Sequence, residues 1–573
     1  MSRPGAPQID RLMISTRAKT SLLVVTLAAS LILGVAMGAW MPQDDDFFEL
    51  RKNFRIFGAV YEELVTGYVK PVDPKHLMRV GITAMVSELD PYTTFLDEAD
   101  NANIDIITEG RYGGVGLDVG ERGEQITVVA PVEGGSGYEQ GIRTGDVITK
   151  IGDQPVAPLS VEDVETLLRG EPGTTVTVVV EREGAPAPLT FSLTREEIDL
   201  DNVTYRGRVG PAADVGYVKL ERFTRSAASE LESALQGLRE TGELNGVVLD
   251  LRGNPGGLLN AAVSVTELFV KKGATIVSTK GRLAKANSTY RSDRAPVLPD
   301  LPLVVLVNGY SASASEIVAG AVQDHDRGVV MGTTTYGKGL VQAIRSLPHN
   351  TSLKMTTAQY RTPSGRSIQK LSPTGRDTSM AALGRASDSS STMATHETTH
   401  GRTVRDGDGL RPDVRVDADS AGALEEALTR SAAFFYYANH YAASRDSLPA
   451  DFTVTDAVYA DFRDWLDAEN HRYPTDAEHA IRKLRDRFGA EGFRDVKEEV
   501  AVLREAVRAE KRDAFREHAP ALKRHLEREI LARFVSESQR TKALLPHDSQ
   551  VTTAVDLLHH PDRYTGLLTP ENN

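Results

Sequence analysis

Residues 301–324 read "LPLVVLVNGYSASASEIVAGAVQD". Five consecutive apolar residues, Leu303 to Val307, make a buried strand, the Asn-Gly pair ends it, and apolar residues at helical spacing from Ile317 start a helix. The same plan stands upstream, where "GVVLDLRG" (246–253) leads into "NPGGLLNAAVSVTELFV" (254–270). Before both lie a strand, "ADVGYVKLERF", and an amphipathic helix, "SAASELESALQGLRE". Strands that alternate with helices imply an α/β core. In such sheets sites gather in loops at the carboxyl ends of strands, and both unusual loops fall there.

The chemistry these loops can carry depends on two residues. Ser313 and Glu316 have the spacing of a capping box, in which the hydroxyl only satisfies a free N–H at the helix start. The same position suits a nucleophile, because a hydroxyl at a helix N-terminus stands beside free amides where an oxyanion is stabilised. Further on, "TYGKGLVQ" (335–342) holds Lys338 between two glycines at the start of an apolar strand, two strand repeats from Gln342 and so on the same face. An unperturbed lysine is neutral in only about 1 in 2,500 molecules at pH 7, and a downward shift of about three units, roughly 4 kcal/mol, is within what burial imposes on an amine. A desolvated Lys338 then serves as general base toward Ser313, with Gln342 orienting the amine; the alternative is a lysine whose stem lies on an edge strand and whose head reaches water. His325 would have to fold back along its own helix to serve instead.

From about Ile104 to Arg195 the texture is that of short strands with glycine turns, interrupted by one helix, "SVEDVETLLRG", with Ser160 and Asp163 at its start. "GRYGGVGLDV", "APVEGGSGYEQGIRTGDVITKIGDQPV" and "LLRGEPGTTVTVVVER" follow in that order, and this segment resembles a circularly permuted PDZ domain. The resemblance implies that the loop Tyr112, Gly113, Gly114, Val115 and Gly116 offers backbone N–H groups to the C-terminal carboxylate of a peptide that adds a strand to the sheet edge. Arg143 is placed either to meet a carboxylate or to be an ordinary surface arginine.

Outside these segments, residues 44–102 read as short helices broken by "LDPYTTFLDEAD", and residues 417–573 as helices with alternating charge. Residues 369–406 are rich in Ser, Thr and Gly and read as a loop insertion in a core spanning 200–416, with His396 and His400 solvent-exposed in it rather than metal ligands. The uncharged run Thr20 to Met41 is long enough to span a bilayer. Arg11, Arg17 and Lys19 precede it and "QDDD" follows, which puts residues 1–19 in the cytoplasm and the rest outside, in a bacterial periplasm; cleavage as a signal peptide after Ala36 or Gly38 is the alternative. In 573 residues there is no cysteine, which excludes disulfides, thiolate zinc sites and a cysteine nucleophile, and the formal net charge of −14 disfavours nucleic acid.

"LVNGYSASASEIVAGAVQD" with "GTTTYGKGLVQ", together with "LDLRGNPGGLL", "TAQYRTPSGRSIQ", "GDGLRPDV" and "LDPYTTFL", resembles the carboxyl-terminal processing proteases, serine peptidases of family S41. With the membrane helix at 20–41 and the helical C-terminal region already read from the sequence, the resemblance implies an α+β multidomain chain with a permuted PDZ domain at 103–196 before a crotonase-like α/β protease core. It implies Ser313 as nucleophile, Lys338 as base, Gln342 in support, and an oxyanion hole from the backbone of Ala314 and a glycine of "NPGG", Gly257 rather than Gly256. Ser311 and Ser315 are structural in this reading. No metal or cofactor is needed; the partners are polypeptides with free apolar C-termini, the membrane, and a second copy or an adaptor. A latent PDZ scaffold and a thioester-enolate enzyme on the same fold are the rival readings.

Overall fold

The computed structural model describes residues 44–123, 125–370, 394–449, 451–469, 471–491 and 496–570. The chain divides into two units, up to Val86 and from Ser87 on. In the first, α1 (Asp44–Gly67) and α2 (Pro74–Ser87) form a hairpin: Tyr61 Oη donates to Pro74 O at 2.9 Å and the Phe57 ring packs where Gly81 leaves room. Among the described residues no helix is long and apolar enough to cross a membrane, and the Thr20–Met41 run lies outside them.

The second unit departs from the sequence pattern at its start. "LDPYTTFLDEAD" is not a mere break between helices: Thr94–Leu96 is strand β1, and Glu98–Glu109 is helix α3 where strands were expected from Ile104. Strand β2 (Arg111–Gly114) then opens a β-rich domain with β3 (Leu117–Arg122), β4 (Gln125–Pro131), the one-turn α4 (Ser136–Glu139), β5 (Val147–Ile151), β6 (Gln154–Pro155), α5 (Val161–Leu168), β7 (Thr175–Glu181), β8 (Leu189–Thr194) and β9 (Glu196–Asp199). The sheet order is β3-β4-β5-β7-β8, with β6 on β5 and β2 paired to β9 alone. Alternate Val and Leu residues (Val119, Val128, Val178, Val180, Leu193) fill its core. Helix α5 begins at a full capping box in which Ser160 and Asp163 exchange hydrogen bonds.

The main sheet runs β10 (Val203–Val209), β11 (Val215–Leu220), β12 (Gly246–Asp250), β15 (Leu303–Val307), β16 (Val329–Gly332) and β21 (Val414–Arg415), parallel from β11 onward. Helices α6 (Ala227–Glu240), α7 (Leu259–Glu267) and α8 (Ala314–Asp324) cover one face, where Leu303, Val305 and Val307 point. Val304 and Leu306, one residue out of phase, point to the other, and both faces are apolar because both are covered. A second sheet holds β1, β13 (Thr275–Lys280), β14 (Ser288–Arg291), β17 (Leu340–Leu347) and β18 (Thr351–Arg361).

The far face of the main sheet is closed by the end of the chain. After six helices with their own core around Phe434, Tyr437, Phe462 and Leu526, namely α9 (Ala423–Arg430), α10 (Ala433–Ala443), α11 (Asp456–Ala468), α12 (Asp476–Glu491), α13 (Lys497–Glu517) and α14 (Ala519–Leu531), come α15 (Glu537–Leu544), α16 (Ser549–Leu558) and α17 (Pro561–Leu567). Val551, Val555, Leu558 and Tyr564 pack on Val248, Val304 and Leu306, and the Tyr564 hydroxyl accepts from Leu303 N–H at 2.9 Å. The segment read as a continuous loop at 369–406 contains a hairpin, β19 (Thr395–Glu397) and β20 (Thr403–Arg405), tied to α8 by Thr399 N–H on Asp324 O at 2.8 Å and by Arg402 on Asp326 at 2.6 Å. Its residues 371–393 lie outside the described ones. His396 is not exposed as expected but half-buried against Asp406, whereas His400 is about half exposed at its side chain.

Candidate active site

Three loops follow the carboxyl ends of three adjacent parallel strands: 251–258 after β12, 308–313 after β15 and 333–339 after β16. Their side chains lock them together. Ser311 Oγ donates to Leu251 O at 2.8 Å and Ser315 Oγ to Asn254 O at 2.9 Å, so these two fully buried serines are occupied in tying the second loop to the first. Asn254 in turn takes Gly256 N–H on its Oδ1 at 2.9 Å.

Ser313 remains. It is half-buried, its hydroxyl faces the Glu316 N–H as in a capping box without a well-formed hydrogen bond to it or to any other of the described residues, and its backbone sits at φ 55°, ψ −109°, a conformation that costs a non-glycine residue about 1–3 kcal/mol. The next residue, Ala314, opens α8, so its N–H has no acceptor in the helix. Gly256 (φ 102°) lies so close that a Cβ would stand 2.8 Å from Ala312 O and 2.9 Å from both Ala314 N and Ser313 Cβ. Of the two glycines, Gly256 has its N–H bound to Asn254, while Gly257 N–H has no hydrogen-bond partner among the described residues.

Lys338 is not on a strand. Gly337, at φ 87° with Lys370 Cβ 2.8 Å from where a side chain would begin, turns the loop, and β17 starts only at Leu340. Lys338 Nζ lies 5.1 Å from the centre of the Tyr92 ring, and makes no hydrogen bond or ion pair among the described residues. Burial pushes its amine below the ordinary lysine range, the nearby Lys354 ammonium adds to this, and Glu316 opposes it. Gln342 does not bond Lys338; its Nε2 donates to Tyr92 O at 2.6 Å, so the two residues meet at Tyr92 instead. His325 caps the far end of α8 with its ring on Thr275 O at 2.6 Å, away from Ser313.

Two residues that local spacing misses hold the serine and lysine loops to one another. Glu316, 0% exposed, accepts from Ser313 N–H (2.8 Å), Lys338 N–H (2.9 Å), Gly337 N–H (2.8 Å) and the Thr335 hydroxyl. Burial raises its carboxyl, against the pull of these four donors. Tyr360, 1% exposed, places its hydroxyl on both Ser313 O (3.1 Å) and Lys338 O. Glu316 carries a signal in sequence, the capping-box spacing, but that spacing shows only one of its four bonds.

Comparison with known proteins assigns this arrangement to a family. The model of peptidase family S41 matches residues 214–376, and the carboxy-terminal-processing protease of Bartonella bacilliformis is 38% identical over 350 residues, 60% of this chain and 78% of that one. The chain belongs to peptidase family S41. It is a serine-type peptidase of the carboxy-terminal-processing kind. The carboxyl-terminal-processing protease of Synechocystis sp. is 36% identical over 309 residues, 53% of this chain and 71% of that one. Among solved structures, a photosystem II D1 C-terminal processing protease is 30% identical with a TM-score of 0.36, covering 62% of this chain and 85% of that one. A PDZ model matches residues 127–182, and a model described as "Probable PDZ-protease, C-terminal helical domain" matches 424–558.

The PDZ part of this S41 peptidase carries its own cleft, of about 760 Å³, which neither Ser313 nor Lys338 lines. The expected glycine loop is only half a loop: Tyr112, Gly113 and Gly114 are in β2, paired with β9, and the lack of a side chain at Gly113 leaves room for Gly170 O, 2.3 Å from where a Cβ would stand. Val115 and Gly116 follow outside any strand, and their N–H groups have no hydrogen-bond partner among the described residues. Tyr112, Val115, Gly116 and the exposed Arg143 line the cleft, which Arg222 of the core and residues 532–538 and 540 of the C-terminal region complete.

Proposed function

We propose that this peptidase cleaves polypeptides at or near their C-termini with a Ser-Lys dyad, and that its PDZ domain holds the substrate's C-terminus. The observation that carries the reading is that one buried carboxylate, Glu316, bonds the backbone of both Ser313 and Lys338, which sets a hydroxyl with no well-formed hydrogen bond and a desolvated amine, unpaired among the described residues, on neighbouring loops. Ser313 Oγ attacks the peptide carbonyl carbon while the neutral Lys338 amine takes the hydroxyl proton. The N–H groups of Ala314 and Gly257, both without an acceptor, receive the oxyanion. The Lys338 ammonium returns the proton to the leaving amine, an acyl ester remains on Ser313, and water attacks it with Lys338 again as base. Gln342 supports the site through Tyr92.

Capture of the substrate end is supported by Val115 and Gly116, which line the PDZ cleft and whose N–H groups, without a partner among the described residues, suit a carboxylate, with the edge of β3 beside them for strand addition. The Thr20–Met41 run supports an anchor that leaves the catalytic part outside the cytoplasm. Mass spectrometry of an unstructured protein with an apolar C-terminus, incubated with the parent, Ser313→Ala and Lys338→Ala, tests the reading. Cleavage by the parent alone supports it; cleavage by either variant at the parent's rate removes the dyad.

A further inference from the structure

The structure holds a second lysine that the dyad does not use. Lys354 lies on β18, paired directly with Ile344 of β17 on one side and with Thr94 of β1 on the other, while Thr356, two residues on, pairs with Gln342. Directly paired residues of antiparallel strands share a face, so Lys354, Thr356 and Gln342 stand on the same side of the sheet. That side is the one on which Gln342 reaches Tyr92 O and on which the Tyr92 ring lies beneath Lys338 Nζ. Two lysines thus face one cluster.

Among the described residues neither lysine forms an ion pair. Lys354, half-buried, makes no hydrogen bond or ion pair among the described residues, and neither does Lys338. Among the described residues, the carboxylates nearest on the packed elements are engaged with backbone donors: Asp97 and Asp100 at the start of α3 each accept the other's N–H, while Glu98 is exposed. Glu316 of α8 is filled by four donors, and Asp90, in the turn before β1, accepts from Tyr92 N–H, Thr93 N–H and the Thr93 hydroxyl. The buried Tyr360 hydroxyl lies on backbone carbonyls. The Tyr92 ring acts in the opposite sense, because its face favours a cation over it. Two like charges brought together, offset for Lys338 only in part by Glu316, oppose folding, and such arrangements persist where they set the protonation of a working group.

We propose that Lys354 is a positioning residue for the reaction, a second ammonium ion held on the face of Lys338 that disfavours protonation of its amine. This rests on Lys338 as the base. The direction of the Lys338 shift, downward from burial first and from Lys354 next, agrees with it.

The test is the pH dependence of kcat/KM for cleavage of an unstructured protein by the parent, Lys354→Gln, Lys354→Arg and Lys338→Ala. With Lys354→Gln the acid limb moves to higher pH, activity below the limb falls roughly tenfold for each unit moved, and it returns to the parent's value above it. Lys354→Arg, which keeps the charge, keeps the parent's profile. Recovery at high pH shows that the variant is folded. A Lys354→Gln profile superimposable on the parent's, whatever its KM, overturns the proposal; so does loss of activity at every pH, which assigns Lys354 to substrate contact or to the fold. Activity in Lys338→Ala overturns the base assignment instead, so the two failures are told apart.

Discussion

Replacing Glu316 with glutamine changes one oxygen to an NH₂ and nothing else in volume, yet it strikes both loops of the site. The carboxylate accepts four hydrogen bonds, two on each oxygen: Ser313 N–H and Lys338 N–H on Oε2, Gly337 N–H and the Thr335 hydroxyl on Oε1. An amide keeps one of these oxygens and turns a donor toward the other pair, so two donors lose their acceptor. Each buried donor left unsatisfied costs about 1–3 kcal/mol, which sums to about 2–6 kcal/mol against a domain stability of about 5–15 kcal/mol. The loss appears first where the backbone is already strained, at Ser313 with φ 55°. A shift of about 1 Å in a reacting group is enough for a hundredfold loss of rate. Glu316→Gln is therefore expected to remain folded with a lowered melting temperature, and to lose kcat by about a hundredfold or more. Thermal unfolding and steady-state cleavage of an unstructured protein measure both. A variant with the parent's melting temperature and a kcat within about twofold of the parent's would refute the claim that this carboxylate braces the site.

Other outcomes follow from the same geometry. Gly256→Ala, whose new Cβ would meet Ala312 O, Ala314 N and Ser313 Cβ, is expected to fold and to lose cleavage by about a hundredfold, whereas Gly134→Ala, with positive φ but open space, costs only about 1–2 kcal/mol of stability and no rate; melting curves and kcat separate the two. Arg252→Met leaves Asp250 buried without its partner and is expected to cost about 3–5 kcal/mol in denaturant unfolding. Burial pushes the Asp250 carboxyl up, but Arg252 more than offsets this and holds it below the ordinary range; the parent's stability from this pair is therefore present above the usual Asp titration and lost as pH falls through the depressed value, a dependence the variant lacks. Lys338→Met is expected to abolish cleavage while raising the melting temperature at pH 7, because an amine held below its usual range gives its full stability only above the unfolded value and loses it as pH falls; the difference should vanish near pH 11.

The parts of this molecule that were legible in sequence are those whose cause is local. Val and Leu runs ending at Asn308-Gly309 and at Gly253 marked two of the parallel strands and the loops at their ends, and Ser160 with Asp163 marked the start of α5. Where the cause is distant, local pattern misleads. Lys338 reads as the first residue of a strand because apolar residues follow it, but the loop is held by Lys370 N–H on Gly337 O and by Gln369 Oε1 on Gly339 N–H, some thirty residues later. Gln342 reads as the lysine's partner, yet its amide finds a carbonyl 250 residues earlier in the chain, at Tyr92, in a segment that reads only as an interruption between helices.

The distribution of these long-range contacts bears on how the site keeps its strain. A non-glycine residue at positive φ relaxes unless its surroundings over-determine it. Here Ser313 is held on both sides of its own peptide units: its N–H by Glu316, its carbonyl by Tyr360, and its neighbours by Ser311 and Ser315 on the 251–258 loop. Every one of these partners lies on an element packed against the main sheet, and the far face of that sheet is covered by α16 and α17 through Val551, Val555 and Tyr564. Arg252, in the first of the three loops, extends the same chain of support to Asp548 and Gln550 at the head of α16. The C-terminal helices are therefore part of what fixes the Ser313 turn, and without them one face of the sheet that carries it would stand uncovered.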